Sequence, residues 1–190
     1  MLVNPQKREV KFKIVYHGPA LAGKTTNVVK IAERRGKEVL SFETREERTL
    51  VFDLLTEQRK VGDFTLTFAL YTVPGQHIYT DIRRTVMRGA DGVVFVADSS
   101  ERRLKENEEF LEVLAEDLAL YGKDIKDTPL VLQYNKRDLP DAVPIEVLEE
   151  RLNRLSRPSV PAVAVKGEGV EETLETIIRE VVRKFRSVLR

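Results

Sequence analysis

Apolar and polar positions along this chain follow two periods, and the change from one to the other marks out strands and helices. Residues 10–16 alternate, with Val10, Phe12 and Ile14 on one face, and run into a glycine-bounded turn. The stretch 25–35 then takes up helical spacing. Segments 49–55 and 64–72 alternate cleanly, as Leu50, Phe52 and Leu54 and then as Phe64, Leu66, Phe68 and Leu70. Gly62-Asp63 between them predicts a hairpin turn. Residues 92–97 form a continuous apolar run, the mark of a central strand buried on both faces. Leu104, Leu111, Leu114, Leu118 and Tyr121 fall at helical spacing. A second buried strand follows at 129–134, an amphipathic helix at 145–155 and a short last strand at 162–165. Val170, Leu174, Ile177, Val181, Phe185 and Val188 give a closing helix one apolar face.

Strands alternating with helices predict an α/β fold, with a mostly parallel six-stranded sheet covered on both sides and one antiparallel hairpin at its edge. No repeat, low-complexity run or linker divides the 190 residues, so 1–190 reads as one domain. Ligands of such sheets bind beyond the C-terminal strand ends. The loops after the strands are therefore where chemistry is expected.

Composition excludes several classes. With 42% hydrophobic and 33% charged residues, the chain is globular with a heavily charged surface. A net charge of +1 supplies no global field toward nucleic acid, which is not expected as a partner. The absence of cysteine excludes a disulfide scaffold, a thiolate metal site and a cysteine nucleophile, and suits a reducing compartment. No stretch approaches the ~20 apolar residues of a membrane span. Position 2 is leucine where myristoylation needs glycine, and no terminal cysteine box is present, so no direct membrane anchor is expected.

The loop after the first strand reads Gly18-Pro-Ala-Leu-Ala-Gly23-Lys24-Thr25, which fits G-x-x-x-x-G-K-[ST]. In such a loop the backbone N–H groups of Gly18, Ala20, Leu21, Ala22, Gly23, Lys24, Thr25 and Thr26 turn toward phosphate oxygens, and the following helix adds its dipole. Lys24 would bridge the β- and γ-phosphates, and the Thr25 hydroxyl would ligate Mg²⁺. The pattern arises by chance in roughly one chain in a hundred of this length, but here it also stands between a strand and a helix, as the chemistry requires.

A phosphate loop does not choose a base. Asn135-Lys136-Arg137-Asp138 follows the second buried strand directly. Guanine offers N1–H and its 2-amino group side by side, and the Asp138 carboxylate can accept both. Adenine has an acceptor at N1 and would leave that charge unpaired, so a site of this kind rejects it by ~10⁴-fold or more. Asn135 can hydrogen-bond N7, and the Lys136 stem can cover the base face. A polar turn closing a strand could have the same residues, but their place downstream of a phosphate loop favours guanine.

With these motifs in this order, the chain resembles the Ras-like small GTPases over nearly its whole length. Within them, Gly-Lys-Thr-Thr-Asn in the phosphate loop, Glu47-Arg48-Thr49-Leu50, Thr72-Val-Pro-Gly75-Gln76 and Asn135-Lys-Arg-Asp138-Leu-Pro are similar to the bacterial MglA group, the small GTPases of cell polarity and gliding or twitching motility. The resemblance implies a P-loop, three-layer sandwich that binds GTP and GDP with Mg²⁺ and hydrolyses GTP slowly. It also implies a roadblock-fold activator of the MglB type and an effector that reads the GTP state. The protein would be monomeric alone and cytoplasmic, reaching a cell pole or membrane through partners.

Carried onto this chain, the family pattern puts the Gly75 N–H at the γ-phosphate and Gln76 beside the attacking water. Thr49 would close on Mg²⁺ and the γ-phosphate, with Thr44 and Thr56 as competitors. Arg48 would act as an arginine finger in cis, worth ~10³ to 10⁵ in rate, with Arg45 as its rival. Thr72 stands where most relatives carry an aspartate on a Mg²⁺-bound water, so a weaker metal grip is expected. Ala164 and Val165 occupy the place where a backbone N–H contacts the guanine O6. His17 and His77 read as structural or surface residues, and Lys184, Arg186 and Arg190 as a favourable end to the last helix dipole. Two other classes remain at this point: a P-loop kinase or ATPase, and a nucleotide-binding module that does not hydrolyse.

Overall fold

In the computed structural model, residues 1–43 and 50–188 are described, with the backbone alone at 41–43, 50–54, His77 and Val188. Eight strands form one sheet: β1 (Leu2–Asn4), β2 (Glu9–His17), β3 (Leu40–Glu43), β4 (Leu50–Val61), β5 (Phe64–Thr72), β6 (Gly92–Asp98), β7 (Leu130–Asn135) and β8 (Ser159–Pro161). Their order is β3-β4-β5-β2-β6-β7-β8, with β1 antiparallel to the start of β2. Of the six strands from β4 to β8 in this order, five (β4, β5, β2, β6 and β7) coincide with expected segments, and β4 and β5 make the antiparallel hairpin. β2 lies parallel to both β5 and β6, and β6, β7 and β8 continue in parallel. The additions are short: β1 and β3 have three and four residues, too few for a period to show.

Five α-helices cover the faces: α1 (Lys24–Arg35), α2 (Thr80–Met87), α3 (Leu104–Ala119), α4 (Ile145–Leu152) and α5 (Val170–Val188). The pleat sends Val10, Phe12, Ile14 and Tyr16 to one side of β2, where they meet Val28 and Ile31 of α1 and Leu174, Ile177 and Val181 of α5. Val15 points the other way, into a second core with Val86 and Met87 of α2, Phe110 and Leu114 of α3, and Leu148 of α4. The result is three layers. Gly92 opens β6 beneath α5, where a Cβ would lie 2.4 Å from a Val181 methyl.

Several boundaries differ from the periodic reading. The last strand is Ser159–Pro161, not 162–165, and Ala164–Lys166 is a 3₁₀ turn. Ala162 still donates to Tyr134 O at 2.8 Å, but Val163 then exchanges hydrogen bonds with Glu168 and the chain bends inward. Ala162, Val163 and Ala164 are buried although they lie past the strand, and alternation alone does not separate such a stretch from a strand. α4 stops at Leu152 rather than 155, because the Asn153 amide pairs with the backbone N–H and carbonyl of Arg157 at 2.7 and 2.8 Å. α3 ends at Ala119, ahead of Tyr121. No helix among the described residues is long and apolar enough to cross a membrane.

Candidate nucleotide-binding site

The parallel strands deliver their loops to one end of the sheet. β2 ends at His17, the chain turns through Gly18–Gly23, and α1 begins at Lys24. Gly23 adopts φ 107°, and a Cβ on it would lie 2.2 Å from the Asn135 amide nitrogen, so only glycine lets the loop close against the base loop. Helix α1 has no side-chain cap and no acidic residue in its first turn. Its leading N–H groups and positive dipole end are thus uncontested, which suits an anion. Thr25 and Thr26 stand half-buried in that first turn.

Lys24 is folded into the loop. Its ammonium, 7% exposed, donates to the carbonyls of Gly18 (2.9 Å) and Pro19 (2.6 Å). Burial pushes it down to about 7; Glu106 raises it and Arg103 lowers it further. A polyphosphate anion in this loop would restore the charge that burial costs. Arg103, in the 3₁₀ turn after β6, donates to the Ala20 carbonyl at 2.6 Å while paired with Glu106 at 2.6 Å, and so braces the loop apex from outside. Nothing in the sequence pattern distinguished Arg103.

The base loop is joined to the phosphate loop by one side chain. Asn135, 2% exposed, donates from Nδ2 to the Ala22 carbonyl (2.8 Å) and accepts at Oδ1 from the Ala164 N–H (2.9 Å). Its first role is therefore to hold three loops in register, leaving one amide hydrogen for a base. The Ala164 N–H is committed to Asn135, whereas Val165, the next residue of that turn, is exposed. Lys136 sits at φ 65°, and its ammonium lies 2.7 Å from Asp98 Oδ2, which fixes its stem over the loop. Burial raises the Asp98 carboxyl, but Lys136 and the Ser100 N–H outweigh it and hold the group below its ordinary range. Asp138 is exposed, 3.6 Å from Lys166 Nζ. Leu21, at the apex of the phosphate loop, also has positive φ (62°).

A second brace runs beneath. Asn27 and Gln133 exchange amide hydrogen bonds (2.7 and 2.8 Å), Asn27 donates to the Gly23 carbonyl, and Gln133 donates to Thr173 of α5. A glutamine inside the apolar run of β7 was its sequence signal, since a buried amide must find partners.

The segment after β5 comes to the same place. Val73 N–H bonds the Tyr16 carbonyl at 3.2 Å, and Gly75 is buried against the phosphate loop. A Cβ on Gly75 would stand 2.3 Å from Ala20 N and 2.4 Å from Pro19 C. Gln76, one residue on, is exposed, and Thr72 is buried at the strand end. His17 is fully buried and structural in placement. Thr44, Arg45, Arg48 and Thr49, the candidates for the finger and the first-switch threonine, lie outside the described residues.

Sequence comparison decides the family. The ADP-ribosylation factor family matches residues 1–181. The chain is a small GTPase of that family. It is also 44% identical to the mutual gliding-motility protein MglA of Myxococcus xanthus (strain DK1622), over 97% of each chain. Both the α/β fold and the MglA-like character expected from the motifs are thereby shown, together with guanine-nucleotide binding and GTP hydrolysis in general. Mg²⁺ typically accompanies the nucleotide in this family. The Thr25 hydroxyl, half-buried in the first turn of α1, is an oxygen donor of the kind Mg²⁺ takes beside nucleotide phosphates and waters.

Proposed function

We propose that the chain, as one GTPase domain over residues 1–190, is a GTP-hydrolysing switch of the MglA type acting in cell polarity or gliding and twitching motility. The observation that carries the switch reading is Gly75, packed on the Pro19–Ala20 backbone with no room for a Cβ. A segment so close to the phosphate loop is placed to register the γ-phosphate and to relax when it leaves. Lys24 and Thr25 would hold the phosphates and metal, Thr49 would close over them, and Asp138 with Asn135 and Val165 would select guanine. Mg²⁺ would supply charge neutralisation at the phosphates. Gln76 orients water, and Lys24 and Arg48 stabilise the charge that develops on the transferred group.

Intrinsic turnover is slow in this account, because a switch must persist long enough to be read. A roadblock-fold activator of the MglB type would hasten it by ordering Gln76 and Arg48, and an effector would read the GTP state. The protein is then a cytoplasmic monomer drawn to its site of action by partners. Single-turnover hydrolysis of preloaded GTP, with and without a roadblock-fold activator, tests this. Stimulation that is lost in Gln76→Leu supports the reading. A wild-type rate in that variant refutes the role of Gln76. The uncharged Thr72 favours one other reading, an interaction module that binds GTP with little hydrolysis, and GTP held without turnover beside an activator would establish it.

A further inference from the structure

Helix α2 follows the second-switch segment directly, and more than apolar contact fastens it to α3. Arg83, 3% exposed in the first turn of α2, donates its Nε–H to Asp117 Oδ2 at 2.6 Å. Asp117 on α3 is 1% exposed. Arg84 Nε reaches the other carboxylate oxygen at 3.4 Å, and the Tyr121 hydroxyl donates to the Arg84 carbonyl at 2.8 Å. His17, the residue before Gly18, lies against the same carboxylate with Nε2 3.5 Å from Oδ2. Its ring sits between Phe95 and Phe110, each 6.2 Å away between centroids. Burial pushes His17 down to about 4, so near neutral pH it carries no charge and the arginines alone balance Asp117. Three elements meet on one buried carboxylate: the strand entering the phosphate loop, the start of α2, and α3.

Buried ion pairs add little to stability that well-packed apolar side chains would not supply. What this one adds is direction. A carboxylate with an arginine on each oxygen fixes the rotation of α2 and its position along α3, which interdigitating methyl groups do not. Gly75 is held at one end of the second-switch segment by the phosphate loop, and Arg83 holds the other.

We propose that Arg83 and Asp117 are positioning residues for the second switch: their buried pair, seated against His17, sets where Gly75 and Gln76 stand over the phosphate loop. This deepens the function proposed above and rests on Gly75 and Gln76 facing the γ-phosphate.

The test uses the full chain loaded with GTP or GDP, and reads single-turnover hydrolysis together with release of each nucleotide. In Arg83→Lys the charge stays and the guanidinium geometry is lost. Hydrolysis should fall by about tenfold, within the range for sub-ångström to ångström misplacement. GTP release should quicken by a similar factor, while GDP release stays within about twofold, since GDP lacks the γ-phosphate that Gly75 is read to contact. Arg83→Met leaves Asp117 buried without a partner and can fail to fold. The double variant Arg83→Met/Asp117→Leu removes both charges and should melt cooperatively while keeping the defect. Wild-type hydrolysis in Arg83→Lys or in the folded double variant overturns the proposal, as does GTP and GDP release raised by one common factor. A wild type that neither binds nor hydrolyses GTP sinks the underlying functional reading as well; normal wild-type turnover with unaffected variants sinks this proposal alone.

Discussion

Gly75→Ala is the smallest change that separates the switch from the rest of the site. The added Cβ would lie 2.3 Å from Ala20 N, 2.4 Å from Pro19 C and 2.7 Å from Ala20 Cα, all of them backbone atoms. No side chain can rotate away, so the phosphate loop and the second-switch segment must part by about 1 Å to restore ordinary contact. Overpacking of this kind costs about 1–3 kcal/mol, and a displacement of about 1 Å at reacting groups costs about 10²-fold in rate. The variant should stay folded, hydrolyse bound GTP about 10²-fold more slowly and lose affinity for GTP. GDP affinity should change by only a few-fold, because α1 and Lys24 remain in place to hold its phosphates. Release of fluorescent GDP and GTP, with single-turnover hydrolysis on the same preparations, measures all three. Wild-type hydrolysis, or equal weakening for both nucleotides, would refute the reasoning that Gly75 reports the γ-phosphate.

Other consequences can be checked alongside. Asp138→Asn should exchange guanine for xanthine preference: the amide oxygen still accepts from N1–H, while its N–H₂ now meets the C2 carbonyl that xanthine carries. Competition of GTP against xanthosine triphosphate reads this, and a variant still preferring GTP would remove Asp138 from the base site. Thr72→Asp should tighten Mg²⁺ binding by placing a charge beside the metal waters; half-saturation of hydrolysis at the same or a higher Mg²⁺ concentration counts against that. His17 predicts an acid limb. Its folded value of about 4 lies below its unfolded value of 6.5, so the unfolded chain binds more protons between those values. The stability His17 contributes is present above pH 6.5 and is lost as pH falls toward 4, by about 3 kcal/mol in all. His17→Phe lacks this loss, so denaturant unfolding should show the variant gaining on wild type by about 1.4 kcal/mol per pH unit through that window; a pH-independent difference would contradict it.

The legible part of this molecule was the part where chemistry dictates residue type at fixed spacing. Gly18 to Thr25 and Asn135 to Asp138 stood out in the sequence because phosphate cradling and carboxylate pairing would admit few alternatives, and the fold brings the two loops together through Asn135. The β4–β5 hairpin was readable because one face of each strand is buried, so alternation survives in the sequence. β4 nonetheless runs to Val61, six residues beyond the expected end, because Arg59 and Lys60 on it are too polar to signal a strand. β1 and β3 were missed for shortness, and α2, no shorter than α4, has only Ile82, Val86 and Met87 as apolar positions. Arg103 was missed for another reason: its partner is a backbone carbonyl 83 positions away, which no local pattern encodes. Arg83 and Asp117 lie 34 positions apart and look like ordinary charges on two amphipathic helices until the fold buries both. Asn135 stood out for contact with a base, but its task of tying Ala22 to Ala164 became visible only with the three loops in place.

The central claim is a guanine-specific triphosphate site, and equilibrium binding of GTP against ATP to the wild-type chain with Mg²⁺ tests it most directly. The account predicts GTP bound at least ~10⁴-fold more tightly, since ATP would leave the Asp138 carboxylate facing an acceptor. Equal affinity for the two nucleotides would contradict it.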